Sequence, residues 1–458
     1  MTATAERLPR PKAAEPRPYQ FPRFERAVLP NGMKLIVAPI SKLPIVTISV
    51  LIDAGAVADP TERAGLAQLA AKLLLEGTTS PDGTAITDRF ERLGASIDSH
   101  ADWDVAAVNV TTLTDKLAES FELLGTVLRR PGFNEREVER LKAERLAELL
   151  QQRAEPRGLA DELFSRFVYD SRSRYALPDG GNETSVRGLT RAEVVRFYEA
   201  RYSPASMTLI VAGDVQMQAL ERMAASVFGD WSGPLTTPVS ASDQPAREGR
   251  ALHIVNKPDA PQSELRIGHI GLPRNHPDYF PAVIMNAVLG GLFSSRINLN
   301  LREVHGYTYG ANSYFDWRRQ RGPWVVATAV ASEVTPAAAT EVLKEIDRFR
   351  AAPITDDELT LATSYLDGVF PIRFETTSAI ASALTTLAVY DLPDDWYDEY
   401  RARVRAVTAG DVLIAAERHL HPDALQMVVV GNAAAVRAGM EAIAFGPVQR
   451  YDVEGRPA

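Results

Sequence analysis

The run Met207-Thr208-Leu209-Ile210-Val211-Ala212-Gly213-Asp214 reads as a buried strand, apolar and β-branched at its centre and closed by a Gly-Asp turn. Shifted by 218 residues it returns as Leu425-Gln426-Met427-Val428-Val429-Val430-Gly431-Asn432. Each copy follows a helix-like stretch and a proline stop. These are Leu189-Thr190 through Tyr202-Ser203-Pro204 in the first, and Val407-Thr408 through Leu420-His421-Pro422 in the second. Further pieces agree at nearly the same offset. Phe133-Asn134-Glu135 and Ile354-Thr355-Asp356 each open a long helical pattern, and strand-like runs start at Val46 and Leu265. Similar shifts in several separated places point to duplication.

Working outward from the repeat, the chain divides into an extended or disordered N-terminal segment (1–19), two homologous domains (20–235 and 251–445), a linker (236–250) and a tail (446–458). The stretch from Trp231-Ser232-Gly233-Pro234 to Arg250 is rich in Ser, Thr, Pro, Gln and Asp and lacks the periodicity needed to bury a core. Adjacent strand-like runs, Lys34 to Ala38 and Ile45 to Asp53, alternate with long amphipathic helices. That pattern predicts an α+β fold, each domain a mostly antiparallel sheet packed against helices, rather than a doubly wound sheet. A chain of 458 residues is also too long for one ordinary core.

Composition narrows the function classes. Hydrophobic residues make up 45% and charged residues 24%, the balance of a soluble globular protein. A net charge of −9 argues against nucleic acid, which needs a concentrated basic surface. With no cysteine, disulfides, thiolate metal sites and cysteine nucleophiles are excluded. The first thirty residues contain no apolar core of a signal peptide. The longest apolar stretch, Ile45 to Ala58, is interrupted by Asp53 and too short to span a bilayer. A cytoplasmic location without a membrane span is expected, although a chain processed for the periplasm would read the same.

After Asp59-Pro60-Thr61-Glu62, which has the spacing of a helix start with Asp59 as N-cap, comes Gly65-Leu66-Ala67-Gln68-Leu69-Ala70-Ala71-Lys72-Leu73-Leu74-Leu75-Glu76, stopped by Gly77. Positions 68, 71 and 72 share one side of such a helix. Here the chain resembles the insulinase/pitrilysin metallopeptidase family, which reads Gly-Leu-Ala-His-x-x-Glu-His at this place and ends the helix with Gly-Thr. Gly65-Leu66-Ala67 and Gly77-Thr78 match. By this resemblance the two zinc-binding histidines have become Gln68 and Lys72, and the catalytic glutamate Ala71. The family's third ligand falls on Glu148, in Glu144-Arg145-Leu146-Ala147-Glu148-Leu149-Leu150. A buried ion pair between Lys72 and Glu148 is expected to fill the vacated position; the plain alternative is a solvated helix glutamate.

The second domain carries Gly290-Gly291-Leu292-Phe293-Ser294-Ser295-Arg296 and then Leu301-Arg302-Glu303-Val304-His305-Gly306-Tyr307-Thr308-Tyr309. This is similar to the family's Leu-Gly-Gly, Ser-Arg, Leu-Arg-Glu and Gly-x-x-Tyr signature. The resemblance implies that Arg302 and Tyr309 hold a peptide and its developing oxyanion at a zinc site. A guanidinium and a phenol suit that work. On composition alone, Arg302 would cap a helix end and Tyr309 would be a strand residue, with Tyr307 on the same face.

Seven histidines remain, His100, His253, His269, His276, His305, His419 and His421, and they read as scattered surface or satisfied core residues. No catalytic metal and no cofactor are expected in this chain. The resemblance implies a partner: a homologous zinc-bearing subunit, with this chain similar to the inactive subunits of two-chain peptidases and supplying the clamp for peptide hydrolysis. The alternative is a structural or peptide-binding scaffold similar to the family's respiratory-complex core proteins.

Overall fold

The computed structural model describes residues 18–79 and 86–458, so most of the N-terminal segment 1–19 lies outside the described residues. Two six-stranded sheets organise the rest. The first contains β1 (Glu25–Val28), β2 (Lys34–Pro39), β3 (Ile45–Ile52), β4 (Ser96–Ala101), β5 (Ala106–Leu113) and β6 (Met207–Gly213), in the order β1-β2-β6-β3-β5-β4. The second contains β7 (Ala251–Asn256), β8 (Ser263–Ile270), β9 (Ala311–Phe315), β10 (Pro323–Val330), β11 (Gln426–Gly431) and β12 (Val448–Tyr451), in the order β12-β7-β11-β8-β10-β9.

The repeated run occupies the same place in both. β6 runs parallel to β2 and antiparallel to β3, pairing Val50 with Leu209 and Ile48 with Val211. β11 runs parallel to β7 and antiparallel to β8, pairing Met427 with Ile267. A strand with neighbours on both sides and both faces covered needs a continuous apolar run, which is what the two segments share. Antiparallel pairs predominate in each sheet, giving the mixed α+β architecture read from the sequence.

The outer strands break the symmetry. β1 forms an antiparallel hairpin with β2, whereas β12 lies parallel to β7, pairing Val448 with Leu252. β12 falls within 446–458, the expected tail, so that segment instead completes a sheet. Its residues, Val448-Gln449-Arg450-Tyr451, are mostly exposed at an edge and carry no apolar signal that sequence reading could detect.

Eight helices position the features below: α1 (Leu66–Leu73), α2 (Glu135–Ala154), α3 (Pro156–Val168), α4 (Arg191–Arg201), α5 (Tyr279–Asn286), α6 (Asp356–Val369), α7 (Thr377–Tyr390) and α8 (Ala409–His419). The repeat extends to their caps. Thr190 with Glu193 and Thr408 with Asp411 form capping boxes on α4 and α8; Asn134 caps α2 and Thr355 caps α6. α1 begins later than expected. A 3₁₀ turn, Thr61–Arg63, precedes it, and Asp59 reaches over that turn to accept bonds from Gly65 N and Ala67 N, each at 2.8 Å. Arg174 fixes the same carboxylate at 3.1 Å. Gly65 has φ +98°, and a Cβ there would lie 2.7 Å from Gly180 O, so only glycine fits.

Each half lends a helix to the other. α3, from the first half, packs Leu159, Leu163, Phe164 and Phe167 against Val325, Val428 and Val430 of the second sheet. α7, from the second half, lies on β3 and β6 of the first sheet, with Thr377 Oγ1 2.9 Å from Thr47 Oγ1. Arg319 adds a polar tie, donating to Asp53 at 2.8 Å and, through its backbone N–H, to Asp104 at 3.0 Å.

The run Tyr279–Val304 is 26 residues long and contains an 18-residue window of mean hydropathy 1.3, enough to cross a membrane, but 56% of that window is buried in the protein. Its apolar side chains, among them Phe280, Ile284, Leu289, Ile297 and Leu301, belong to the core of the second half. Among the described residues this run is the one helix long and apolar enough to cross a membrane, whereas most of Ile45 to Ala58 is strand β3.

His253 on β7 lies at the α3 contact. It is 2% exposed, its Nε2 is 3.1 Å from Gln426 Oε1, and its ring stacks on Phe167 at 4.2 Å. Burial pushes its pKa down to about 4, against the opposing pull of the Gln426 bond. The unfolded chain takes up this proton near pH 6.5 while the folded one refuses it, so stability falls as pH drops from about 6.5 toward 4. The loss by pH 5 should be about 2 kcal/mol. Denaturant unfolding of wild type and His253→Gln at pH 7 and pH 5 should show the difference between the two proteins shifting by that amount. Parallel pH profiles would mean that His253 is not held neutral.

Candidate functional site

α1 and α2, which carry the four positions read from the sequence as a degenerate metal motif, lie side by side. Lys72 faces Glu148, its Nζ 3.5 Å from Glu148 Oε1, and Gln68 lines the same small cavity as Lys72 and Arg145. Ala71 is fully buried where α1 meets β4, its carbonyl accepting from Ser99 at 2.8 Å. One participant was missed in the sequence. Arg145, one helical turn before Glu148, places Nη1 3.0 Å from Glu148 Oε2 and donates through Nε to Gly180 O at 3.1 Å. The i, i+3 spacing on α2 is the signal that could have found it.

The carboxyl of Glu148 is pushed up by partial burial, but the Arg145 hydrogen bond and the charges of Lys72 and Arg145 outweigh this and hold it below the usual range. The ion pair is not buried as expected: the Lys72 side chain is 39% exposed and that of Glu148 42%. A pair of that exposure contributes about 0–1 kcal/mol, so stability does not explain its presence. The loop at Gly180 closes against the cluster, where a Cβ would come 2.5 Å from Gln68 Oε1. About 20 Å³ remains between these groups, room for one water molecule.

This donor set does not fit zinc. A catalytic zinc takes three imidazole or carboxylate ligands and leaves a fourth position open. Here one carboxylate stands among an amide, an ammonium and a guanidinium, and the two cations occupy its oxygens.

The Arg302 region is open. The segment from α5 onward is broken into π-helical turns at Ala287–Gly291 and Leu299–Val304, with Leu292 N bonding Ala287 O and His305 N bonding Asn300 O. Such turns widen a helix and recur at functional sites. Arg302 projects from the second, its guanidinium 4.7 Å above the Phe293 ring and its Nε 3.3 Å from Glu303. It does not cap the helix with its side chain. Tyr309 is 93% exposed and, among the described residues, has no hydrogen-bond partner. Neither Tyr309 nor Tyr307 is on a strand: Gly306, at φ +65°, turns the chain, and β9 begins only at Ala311. Tyr307 is half-buried and stacks on His305 at 4.9 Å. Among the described residues no hydrogen bond or ion pair joins Arg302 or Tyr309 to the α1–α2 cluster.

Three of the seven histidines, His100, His253 and His305, are scattered as expected, but the other four gather. His269, His276, His419 and His421 line one cavity of about 370 Å³ in the second half, against the linker residues Pro245 and Arg247. Their spacing along the chain gave no hint, because α8 and the segment before α5 meet only in the fold.

Two segments of the chain match known protein families. Residues 36–174 match the family described as insulinase (peptidase family M16), and residues 188–366 match the peptidase M16 inactive domain. An uncharacterized zinc protease of Streptomyces coelicolor is 22% identical over 396 residues, covering 84% of this chain and 85% of the relative. The beta subunit of the mitochondrial-processing peptidase of Saccharomyces cerevisiae is 20% identical over 449 residues, covering 91% and 93%. Among solved structures, a peptidase M16 inactive domain from Pseudomonas fluorescens superposes with a TM-score of 0.83 at 25% identity, covering 89% of this chain and 98% of that one. With two matched segments in tandem and a shared fold, this chain belongs to peptidase family M16.

Proposed function

We propose that the chain is the non-zinc subunit of a two-chain metalloendopeptidase, in which a homologous partner carries the metal and this chain supplies Arg302 and Tyr309. The observation that carries the reading is the contrast between the two sites. Lys72 and Arg145 both pair with Glu148, whereas Tyr309 is 93% exposed and, among the described residues, has no hydrogen-bond partner. In the assembled pair the phenol and the guanidinium would donate to the carbonyl oxygen of a peptide as water attacks it. The peptide itself would lie extended, as an added strand against a sheet edge.

The test is reconstitution with a homologue that has both histidines and both glutamates. The isolated chain should cleave no unfolded peptide, and the mixture should form a stable complex whose cleavage far exceeds that of the partner alone. Chelator-sensitive cleavage by the isolated chain, or a partner whose activity does not change on mixing, would refute the reading and favour a scaffold.

A further inference from the structure

The histidine cavity contains a cluster that the proposed function does not use. His276 and Asp278 lie just before α5, and His419 is the last residue of α8. His419 Nε2 is 2.7 Å from Asp278 Oδ2, the rings of His276 and His419 stand at 81° with centroids 5.1 Å apart, and one ligand atom from each of the three residues lies within 4.8 Å of the others. We propose that His276, Asp278 and His419 form a binding site for a divalent transition metal of zinc type, with an open coordination position facing the cavity.

The chemistry supports this over a simple ion pair. Two imidazoles and one carboxylate are a complete protein ligand set for zinc, and such sites leave a further position for water or an anion. The other histidines of the cavity behave differently. His269 is fully used, Nδ1 bonding Ile270 O at 2.8 Å and Nε2 accepting from His421 N at 3.2 Å, so it is a satisfied core residue. His276 and His419 both border the cavity, and the His419 side chain is only 11% exposed. Arg247, on the same wall, has a buried Nε without a hydrogen-bond partner, which an anion at the open position could occupy.

Loading requires local adjustments. Ligand atoms around a tetrahedral zinc sit roughly 3.3 Å apart, from bonds of about 2.0–2.2 Å, so His276 must close on the other two while His419 Nε2 and Asp278 Oδ2, now 2.7 Å apart, give up their direct bond and part slightly. His276 Nδ1 accepts from Asp278 N at 3.0 Å, and the ring must exchange that bond for the ion. Arg418, 3.6 Å from Asp278 and 64% exposed, can swing into solvent. The bound ion would pin the start of α5 to the end of α8, so it would act on the fold around the Arg302 segment, apart from the α1–α2 cluster.

The full-length protein, stripped with a chelator, should take up one equivalent of Co²⁺ with visible d–d absorption, displaced by Zn²⁺, and Zn²⁺ should raise its melting temperature. His276→Ala, His419→Gln and Asp278→Asn should each weaken Co²⁺ binding by about tenfold or more, and Glu148→Gln should leave it unchanged. Should His419→Gln fold poorly, Asp278→Asn, a half-buried isosteric change, decides alone. Wild type that takes up no Co²⁺, or binding that Asp278→Asn does not weaken, would overturn the proposal, as would loss of binding in Glu148→Gln.

Discussion

Tyr309→Phe in this chain should lower turnover of the reconstituted two-chain enzyme by about 10²–10³-fold, the usual loss for one oxyanion donor. The structure makes this a clean substitution. Tyr309 is 93% exposed and, among the described residues, has no hydrogen-bond partner, so removing its hydroxyl should leave folding, assembly and the partner's metal content unchanged. A fall in kcat with little change in KM would place the donor's work in the transition state. Arg302→Ala should act on a similar scale but less cleanly, since it also removes the stack on Phe293. Arg302→Lys separates the two contributions, keeping the charge and losing the planar fork. Tyr307→Phe is the control: that ring packs on His305, and its hydroxyl should not matter. If Tyr309→Phe and Arg302→Ala both leave peptide cleavage intact, the clamp is a relic.

Rebuilding the metal motif should fail in a way that identifies Arg145 as the obstacle. Gln68→His with Lys72→His restores two imidazoles beside Glu148, yet Arg145 still holds Glu148 Oε2 at 3.0 Å, so zinc affinity should stay weak. Adding Arg145→Leu frees the third ligand and should raise zinc affinity by about 10–100-fold, the scale on which groups supporting a ligand act. Turnover should remain negligible until Ala71→Glu supplies a base, which should then increase it by roughly 10²–10⁴-fold. Ala71 is fully buried, so this last change is the one that can cost stability, and a melting curve should accompany it. Equal zinc affinity with and without Arg145 would show that the guanidinium does not block the site. Equal turnover with and without Glu at position 71 would show that the positions are mismapped.

Much of the fold was legible because it is written twice. β6 and β11 carry the same continuous apolar run since both are central strands, and the capping boxes of α4 and α8 repeat the same local chemistry. The edge strand β12 was not legible: an exposed edge imposes no apolar pattern. The start of α1 was misread because Asp59 has the composition of an adjacent cap but acts across a 3₁₀ turn. At the candidate site, motif spacing identified the Lys72–Glu148 pair, while its exposure and the place of Gly180 above it depended on tertiary packing. The meeting of His276 with His419 is likewise a product of the α5–α8 contact, and no sequence interval encodes it.

The reciprocal placement of α3 and α7 has a consequence for motion. A clamshell that parted at the linker would have to strip Phe164 and Phe167 from one sheet and the α7 face from the other, exposing two cores at once. The linker is itself fastened, with Asp243 bound to Arg321 at 2.7 Å and Gln244 O accepting from Asp170 N at 2.9 Å. Opening at the linker is therefore opposed by both helix contacts and by the fastened linker. If the chain pairs as proposed, a seam between the subunits would open for a peptide at lower cost than the seam between these two halves.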